Sequence, residues 1–178
     1  KEPVCLPSKI PSLLMMGSDG IAVGTNTKIM SHNFNELLEA QIAILKGESF
    51  TLYPDFLQGG TMDVSKYEDG MGKIVIRAKI ELDGRRLIIR EIPAYTDTAK
   101  LMDSIEKAMN KNKIKIASIH DYTGEKVEIE IVPIRGYDPE KALNALYAYT
   151  HCSVSISCNP MVICENRPVR MSVSEILR

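Results

Sequence analysis

The sequence predicts an α+β fold with a mostly antiparallel sheet and packed helices. Three observations carry that reading. Apolar residues recur at helical spacing in three separated stretches. Between them, apolar and polar residues alternate with period two, the pattern of half-buried strands. The resulting order is helix, hairpin, helix, two strands, helix, two strands, in which hairpins outnumber connections suited to parallel crossovers.

The 178 residues suffice for one large domain or two small ones. With 44% hydrophobic and 25% charged residues the composition is that of a soluble globular protein, which excludes disorder as the default. A net charge of -1 excludes a small, uniformly basic nucleic-acid binder and leaves room for a local basic patch. No run of 18 apolar residues occurs, so no membrane span is expected. Pro3, Pro7 and flanking charges argue against a signal peptide. The chain opens at Lys1 and ends within a helix starting near Ser172, so it is expected to be an internal stretch of a longer polypeptide.

Residues 1–30, rich in Gly, Pro and Ser, read as loop or short extended pieces with tight glycine turns. The first helix is predicted over 33–46. Ser31 and Asn33 are cap candidates, Phe34, Leu37, Leu38, Ile42 and Leu45 repeat at helical spacing, and Gly47 is a stop. Residues 48–72 read as irregular. A hairpin over 74–91 is predicted around an Asp83-Gly84 turn. That turn would pair Ile80 with Leu87 and Ala78 with Ile89 on a core face, and Arg77 with Arg90 on the other. A second helix is predicted over 97–111, with Leu101, Met102, Ile105, Ala108 and Met109 inward. Strands follow at 114–120 and 126–132. Asp138 and Pro139 give a cap and a first-turn proline for a third helix. Residues 154–156 and 161–164 read as a last strand pair.

The chemistry-bearing residues are mostly ordinary in pattern. The glycine stretch 17–24 has neither a P-loop lysine nor a G-x-G-x-x-G, so it reads as a turn. His32, His120 and His151 lack metal-type spacing and read as surface or capping residues. Asp55, Asp63, Asp69 and Asp121 are single carboxylates with no acid/base pairing. No metal site and no serine or cysteine nucleophile motif is read. Cys152, Cys158 and Cys164, spaced by six, could share one face of extended chain. With Cys5 they read as reduced thiols of a cytosolic protein. Basic residues cluster at 77–90 and at Lys107, Lys111, Lys113 and Lys115, ordinarily a solvated face. The Arg77/Arg90 pair is less ordinary, because like charges directly opposite repel unless a carboxylate or phosphate relieves them.

A series of spaced motifs resembles one family. Leu6-Pro7-Ser8-Lys9-Ile10-Pro11-Ser12-Leu13-Leu14, Gly20-Ile21-Ala22-Val23-Gly24, Thr27, Ile29 and His32-Asn33 come in order. They are followed by Pro54-Asp55-Phe56 with Gly59-Gly60, Gly70-Met71-Gly72-Lys73 and Glu91-Ile92-Pro93. Leu143-Asn144-Ala145-Leu146-Tyr147, Met161 and a turn at 165–168 complete the set. Together they resemble the A subunits of DNA gyrase and topoisomerase IV across essentially the whole chain. Residues 94–97, Ile134-Arg135-Gly136 and the cysteine-containing strand look closer to the topoisomerase IV type. Met16, Thr25-Asn26 and Met30-Ser31 depart from the family's usual residues.

The resemblance implies an ATP-dependent type IIA topoisomerase that passes one duplex through a transient double-strand break in another. It implies that residues 1–33 form a DNA-gate-proximal segment and 34–178 the tower domain. The partners it implies are double-stranded DNA, the family's B subunit, and a second copy of the A subunit, in the cytoplasm on the chromosome. ATP and magnesium would be handled by the B subunit, with no cofactor on this stretch. The DNA-cutting tyrosine would lie upstream: none of the seven tyrosines here has an Arg-Tyr-Thr-like context, so no catalytic residue is expected in this chain. Ile21 matches the family's isoleucine that inserts between base pairs, and Ser18 is a backbone-contact candidate beside it. The alternative is a non-catalytic DNA-binding or architectural protein using the same tower fold.

Overall fold

The computed structural model describes residues 7–178. In chain order its elements are α1 (Ser12–Met16), β1 (Ser18–Ala22), β2 (Thr25–Ile29), α2 (Phe34–Lys46), β3 (Thr61–Asp63), β4 (Lys73–Arg77), β5 (Lys79–Asp83) and β6 (Arg86–Glu91). They continue with α3 (Thr98–Asn110), β7 (Ile116–Asp121), β8 (Ile129–Pro133), α4 (Pro139–Tyr149), β9 (Ser153–Ser157), β10 (Met161–Cys164), β11 (Arg167–Arg170) and α5 (Val173–Leu177). The sheets are ordered β1-β2, β10-β11, β3-β4-β9 and β5-β6-β8-β7. The β1–β2, β10–β11, β3–β4, β5–β6, β6–β8 and β7–β8 ladders are antiparallel. The α+β class is as the sequence predicts.

Contacts gather the chain into two compact units. One contains residues 7–56, Val64–Ile74 and Ser157–Arg178, and the other Leu57–Asp63 and Val75–Ile156. By contact, residues 34–56 and the C-terminal stretch belong with the residues before them.

In the first unit, Asn33 caps α2: its side-chain oxygen accepts from the backbone N–H of Asn35 at 2.9 Å and of Glu36 at 3.4 Å. Gly47 ends the helix in the left-handed region, φ 74°, where glycine carries no Cβ penalty. Leu37 and Ala40 are buried, but Ile42 and Leu45, placed by spacing on the apolar set, are exposed, Leu45 at 87%. Periodicity finds the helix; which flank of its stripe is covered depends on what packs there. The helix α1 is one turn long, too short to show a period, and the sequence reads it as loop. Its Leu14 is buried.

The second unit holds a core of Ala78, Leu87, Ile89, Leu101, Ile105, Ile129, Ile131 and Leu146, drawn from α3, α4 and the four-stranded sheet with its entry. Leu101 and Ile105 are wholly buried, each worth about 1.5–3 kcal/mol in removal of apolar surface. Asp97 caps α3 by accepting from the Lys100 N–H at 2.7 Å. Asp138 caps α4 by accepting from the Glu140 N–H at 3.0 Å, with Pro139 in the first turn.

The predicted hairpin differs in register. Its turn is Gly84-Arg85, so Leu82 faces Leu87 and Ile80 faces Ile89. Gly84 has φ 61° and Arg85 does not share the positive φ, which suits a turn with glycine in the first central position. The partner of each residue shifts by two, an even number, so the same side chains still face the core. The long first strand also divides at Ala78 into β4 and β5, which lie in different sheets.

The predicted last strand pair does not form. The strand β9 joins β3 and β4, whereas β10 pairs with β11 across a Glu165-Asn166 turn, φ 50° and 61°. In the first unit Asn159 exchanges both backbone hydrogen bonds with Lys28, at 2.8 and 2.9 Å, which ties the start of this hairpin to β2.

Candidate nucleic-acid interface

Antiparallel β1 and β2 pair Ser18 with Ile29 at the base and Ile21 with Asn26 near the tip. The tip itself is Val23-Gly24, with Gly24 at φ 79°. Ile21 is 91% exposed and Val23 105%. Two β-branched apolar side chains thus stand in solvent at the end of a hairpin. Residue type alone would bury Ile21, as isoleucine usually is. Ser18 is not in the same turn as the sequence suggests. It lies at the hairpin base, and strand alternation turns it to the opposite face from Ile21.

The base of this hairpin is held in several places. The Thr27 hydroxyl donates to the Met161 carbonyl at 2.9 Å. The Asn159 side-chain amide donates to the Asn26 carbonyl at 2.7 Å. Lys28 is ion-paired with Asp19 across the two strands. Gly17, φ 74°, enters β1 so close to β2 that a Cβ there would lie 2.6 Å from the Ile29 carbonyl oxygen. The apolar tip is therefore presented by a fixed base.

Arg77 and Arg90 are not opposite one another. Arg77 ends β4 facing Thr61, with its guanidinium 5.6 Å from the Tyr147 ring centroid. Arg90 lies at the irregular point of the β5–β6 ladder and bonds Glu81 and Glu128, each at 3.0 Å. The hydrogen bond with Glu81, together with these charges, raises its pKa above the ordinary arginine value. The like-charge pair expected from the sequence dissolves because the turn at Gly84-Arg85 shifts every partner by two and because the strand breaks at Ala78.

His32 is a buried residue, not a surface one. Its Nδ1–H donates to the Leu14 carbonyl at 3.1 Å, and its Nε2 accepts from the Tyr67 hydroxyl at 3.0 Å. Burial lowers its pKa below the usual imidazole value and raises that of Tyr67 well above the usual phenol value. No periodic signal marks His32, since its partners lie 18 and 35 residues away.

The cysteines do not share a face. Cys152 and Cys158 are buried and Cys164 is exposed, all three as free thiols. Burial pushes Cys152 up to about 11, away from thiolate chemistry. Cys5 lies outside the described residues. Among the described residues no three His, Cys, Asp or Glu side chains converge as a metal-ligand set, and no helix is long and apolar enough to cross a membrane.

This antiparallel α+β architecture is consistent with a fragment of a topoisomerase A subunit. The chain belongs to the DNA gyrase/topoisomerase IV A-subunit family, whose profile matches residues 1–178. It is 47% identical to the A subunit of DNA topoisomerase 4 from Borreliella burgdorferi, an alignment covering 99% of this chain and 28% of that protein. It is 36% identical to the chloroplastic/mitochondrial DNA gyrase A subunit of Arabidopsis thaliana, over 100% of this chain and 21% of the relative. With the DNA gyrase A subunit of Lawsonia intracellularis the identity is 33%, over 99% and 24%. The chain thus spans between a fifth and under a third of the length of these relatives.

Proposed function

We propose that the full-length protein is the A subunit of a type IIA topoisomerase and that this chain supplies DNA bending and scaffold beside the gate, with residues 34–178 as the tower. One duplex is cut and a second passed through it. The cutting tyrosine lies upstream of this chain, one in each half of a dimer. ATP hydrolysis and magnesium binding belong to the B subunit, and the complex works on the chromosome in the cytoplasm. The observation that carries the reading is Ile21, 91% exposed at the tip of a hairpin whose base is fixed by Thr27, Asn159 and Gly17. A wedge between base pairs costs a few kcal/mol of unstacking, and burial of the isoleucine side chain returns about 1.5–3 kcal/mol of it. The exposed position is thus energetically suited to insertion.

Ser18, on the other face of the hairpin, would reach a flanking phosphate. Arg77, exposed and without a carboxylate partner among the described residues, is a phosphate contact, whereas the carboxylates on Arg90 compete with phosphate there.

The test is strand passage. The full-length protein with its B subunit, ATP and magnesium relaxes or decatenates plasmid DNA, while the 178-residue chain alone neither nicks nor relaxes it. Cleavage by the chain alone, abolished by substituting one of its own tyrosines, would overturn the reading. Arg77→Ala in the full-length protein is expected to flatten the dependence of log affinity on log salt by about 0.9, one phosphate contact. An unaltered slope would remove Arg77 from the interface.

A further inference from the structure

The hairpin that carries Ile21 leaves and rejoins the first unit at a narrow neck. Gly17, where the chain enters β1, lies close against the return path. A Cβ added there would stand 3.0 Å from the Ser31 nitrogen and 3.1 Å from the Met30 carbonyl carbon. The two roots of the neck are unequal. On the return side, His32 bridges Pro54 and the Ser31 carbonyl accepts from the Asp55 N–H at 2.9 Å. Asn33 then caps the 13-residue α2. On the entry side, α1 is a single turn that Gly17 closes. One helical turn is not stable by itself, so the entry root depends on what holds it from outside.

His32 supplies part of that hold. Its imidazole crosses the neck from the firm root to the weak one, donating from Nδ1 to the Leu14 carbonyl of α1 at 3.1 Å. The carbonyl can only accept, which fixes the proton on Nδ1 and leaves Nε2 as an acceptor. The Tyr67 hydroxyl donates to Nε2 at 3.0 Å. The ring therefore cannot swing away from Leu14 without breaking a second bond. Tyr67 itself stands on a rigid turn. Glu68 and Asp69 have φ of 51° and 52°, values that such residues keep only where their surroundings impose them. The Tyr67 carbonyl accepts from the N–H groups of Gly70 and Gly72, at 3.1 and 2.9 Å. Gly70 is packed so tightly that a Cβ there would lie 2.6 Å from Val173 Cγ2. The Asp69 carboxylate accepts from the Ser174 N–H at 3.2 Å.

We propose that His32 is a positioning residue for the wedge: it clasps the two roots of the β1–β2 hairpin, braced by Tyr67, and so sets how Ile21 is presented to DNA. The anchors at Asn26, Thr27 and Lys28 lie on β2. Ile21 lies on β1, whose entry root is tied across the neck by the clasp. A side chain that must enter between base pairs works only if its supporting residues are themselves held. The inference rests on the reading that Ile21 is a wedge on DNA.

The experiment reads end-to-end energy transfer across a labelled duplex bound to the full-length protein with its B subunit, well below every variant's melting temperature. His32→Asn keeps an amide N–H near the Nδ1 position and loses the Tyr67 contact. His32→Gln reaches the Nε2 position and leaves Leu14 unmet. Both should melt below wild type, since each leaves buried volume empty. The bend should separate them. His32→Gln should lose most of it, as Ile21→Ala does, and the two substitutions together should lose no more than either alone. His32→Asn should keep most of it. Tyr67→Phe removes one oxygen and keeps the ring, so it tests the brace with least loss of packing. It should lower the bent fraction by about two- to tenfold, the worth of one hydrogen bond. The salt slope of binding should stay at its wild-type value, because no phosphate contact is removed. Equal bends in His32→Gln and His32→Asn would show the bend following stability and overturn the clasp. A wild-type bent fraction in Tyr67→Phe would overturn it as well, and with the bend lost in Ile21→Ala would leave the wedge standing. A full bend in Ile21→Ala would sink the wedge reading and the clasp with it.

Discussion

Ile21→Ala in the full-length protein is expected to abolish most of the bend in a bound duplex and to weaken the bent complex by about 10- to 100-fold. The magnitude follows from removing most of an isoleucine side chain whose burial is worth about 1.5–3 kcal/mol, at about 1.4 kcal/mol per factor of ten. The substitution should leave the protein's own stability within about 0.5 kcal/mol, because the side chain is 91% exposed. End-to-end energy transfer across a labelled duplex reads the bend, and thermal melting reads the fold. An unchanged bend would remove Ile21 from the role of wedge. Val23, two residues along and equally exposed, carries no such signal in the sequence; its substitution distinguishes a single wedge from a pair.

His32→Ala is expected to destabilise the first unit by about 2–5 kcal/mol. It empties buried volume and strands the Leu14 carbonyl and the Tyr67 hydroxyl, each unsatisfied group costing about 1–3 kcal/mol. The effect has a defined pH dependence. Burial, the largest cause, holds the folded pKa of His32 below the ordinary imidazole value of 6.5. The unfolded chain therefore binds the proton more readily. The stability tied to neutral His32 is complete above pH 6.5 and is lost as pH falls from there toward the folded pKa. The gap between wild type and variant should narrow over that range. The chain has no tryptophan, so calorimetry or circular dichroism is the suitable readout. A gap that stays constant or widens on acidification would show that His32 does not titrate in this way.

The sequence by itself determined the elements whose signals are local. Asn33 and Asp138 each cap the helix expected of them, because a cap needs only a side-chain oxygen and the next few backbone N–H groups. The core face of β5 and β6 was legible despite the wrong turn, since a shift of two residues preserves side-chain parity. The family was legible because its motifs are strings of adjacent residues at ordered spacing.

Only the tertiary structure decided the rest. Which strand β9 joins, and that β10 turns forward to β11, depends on partners remote in sequence such as Lys28 and Asn159. A turn at Asp83-Gly84, with one strand extended through Ala78, pairs Arg77 with Arg90. The fold breaks that strand and gives Arg90 to Glu81 and Glu128. His32 joins the core through two atoms that no period connects. Ile21 is the sharpest case. Its apolar character is written in the sequence, but whether an apolar residue is buried or held out at a tip is set by what packs around it, and Ile21 stands 91% exposed.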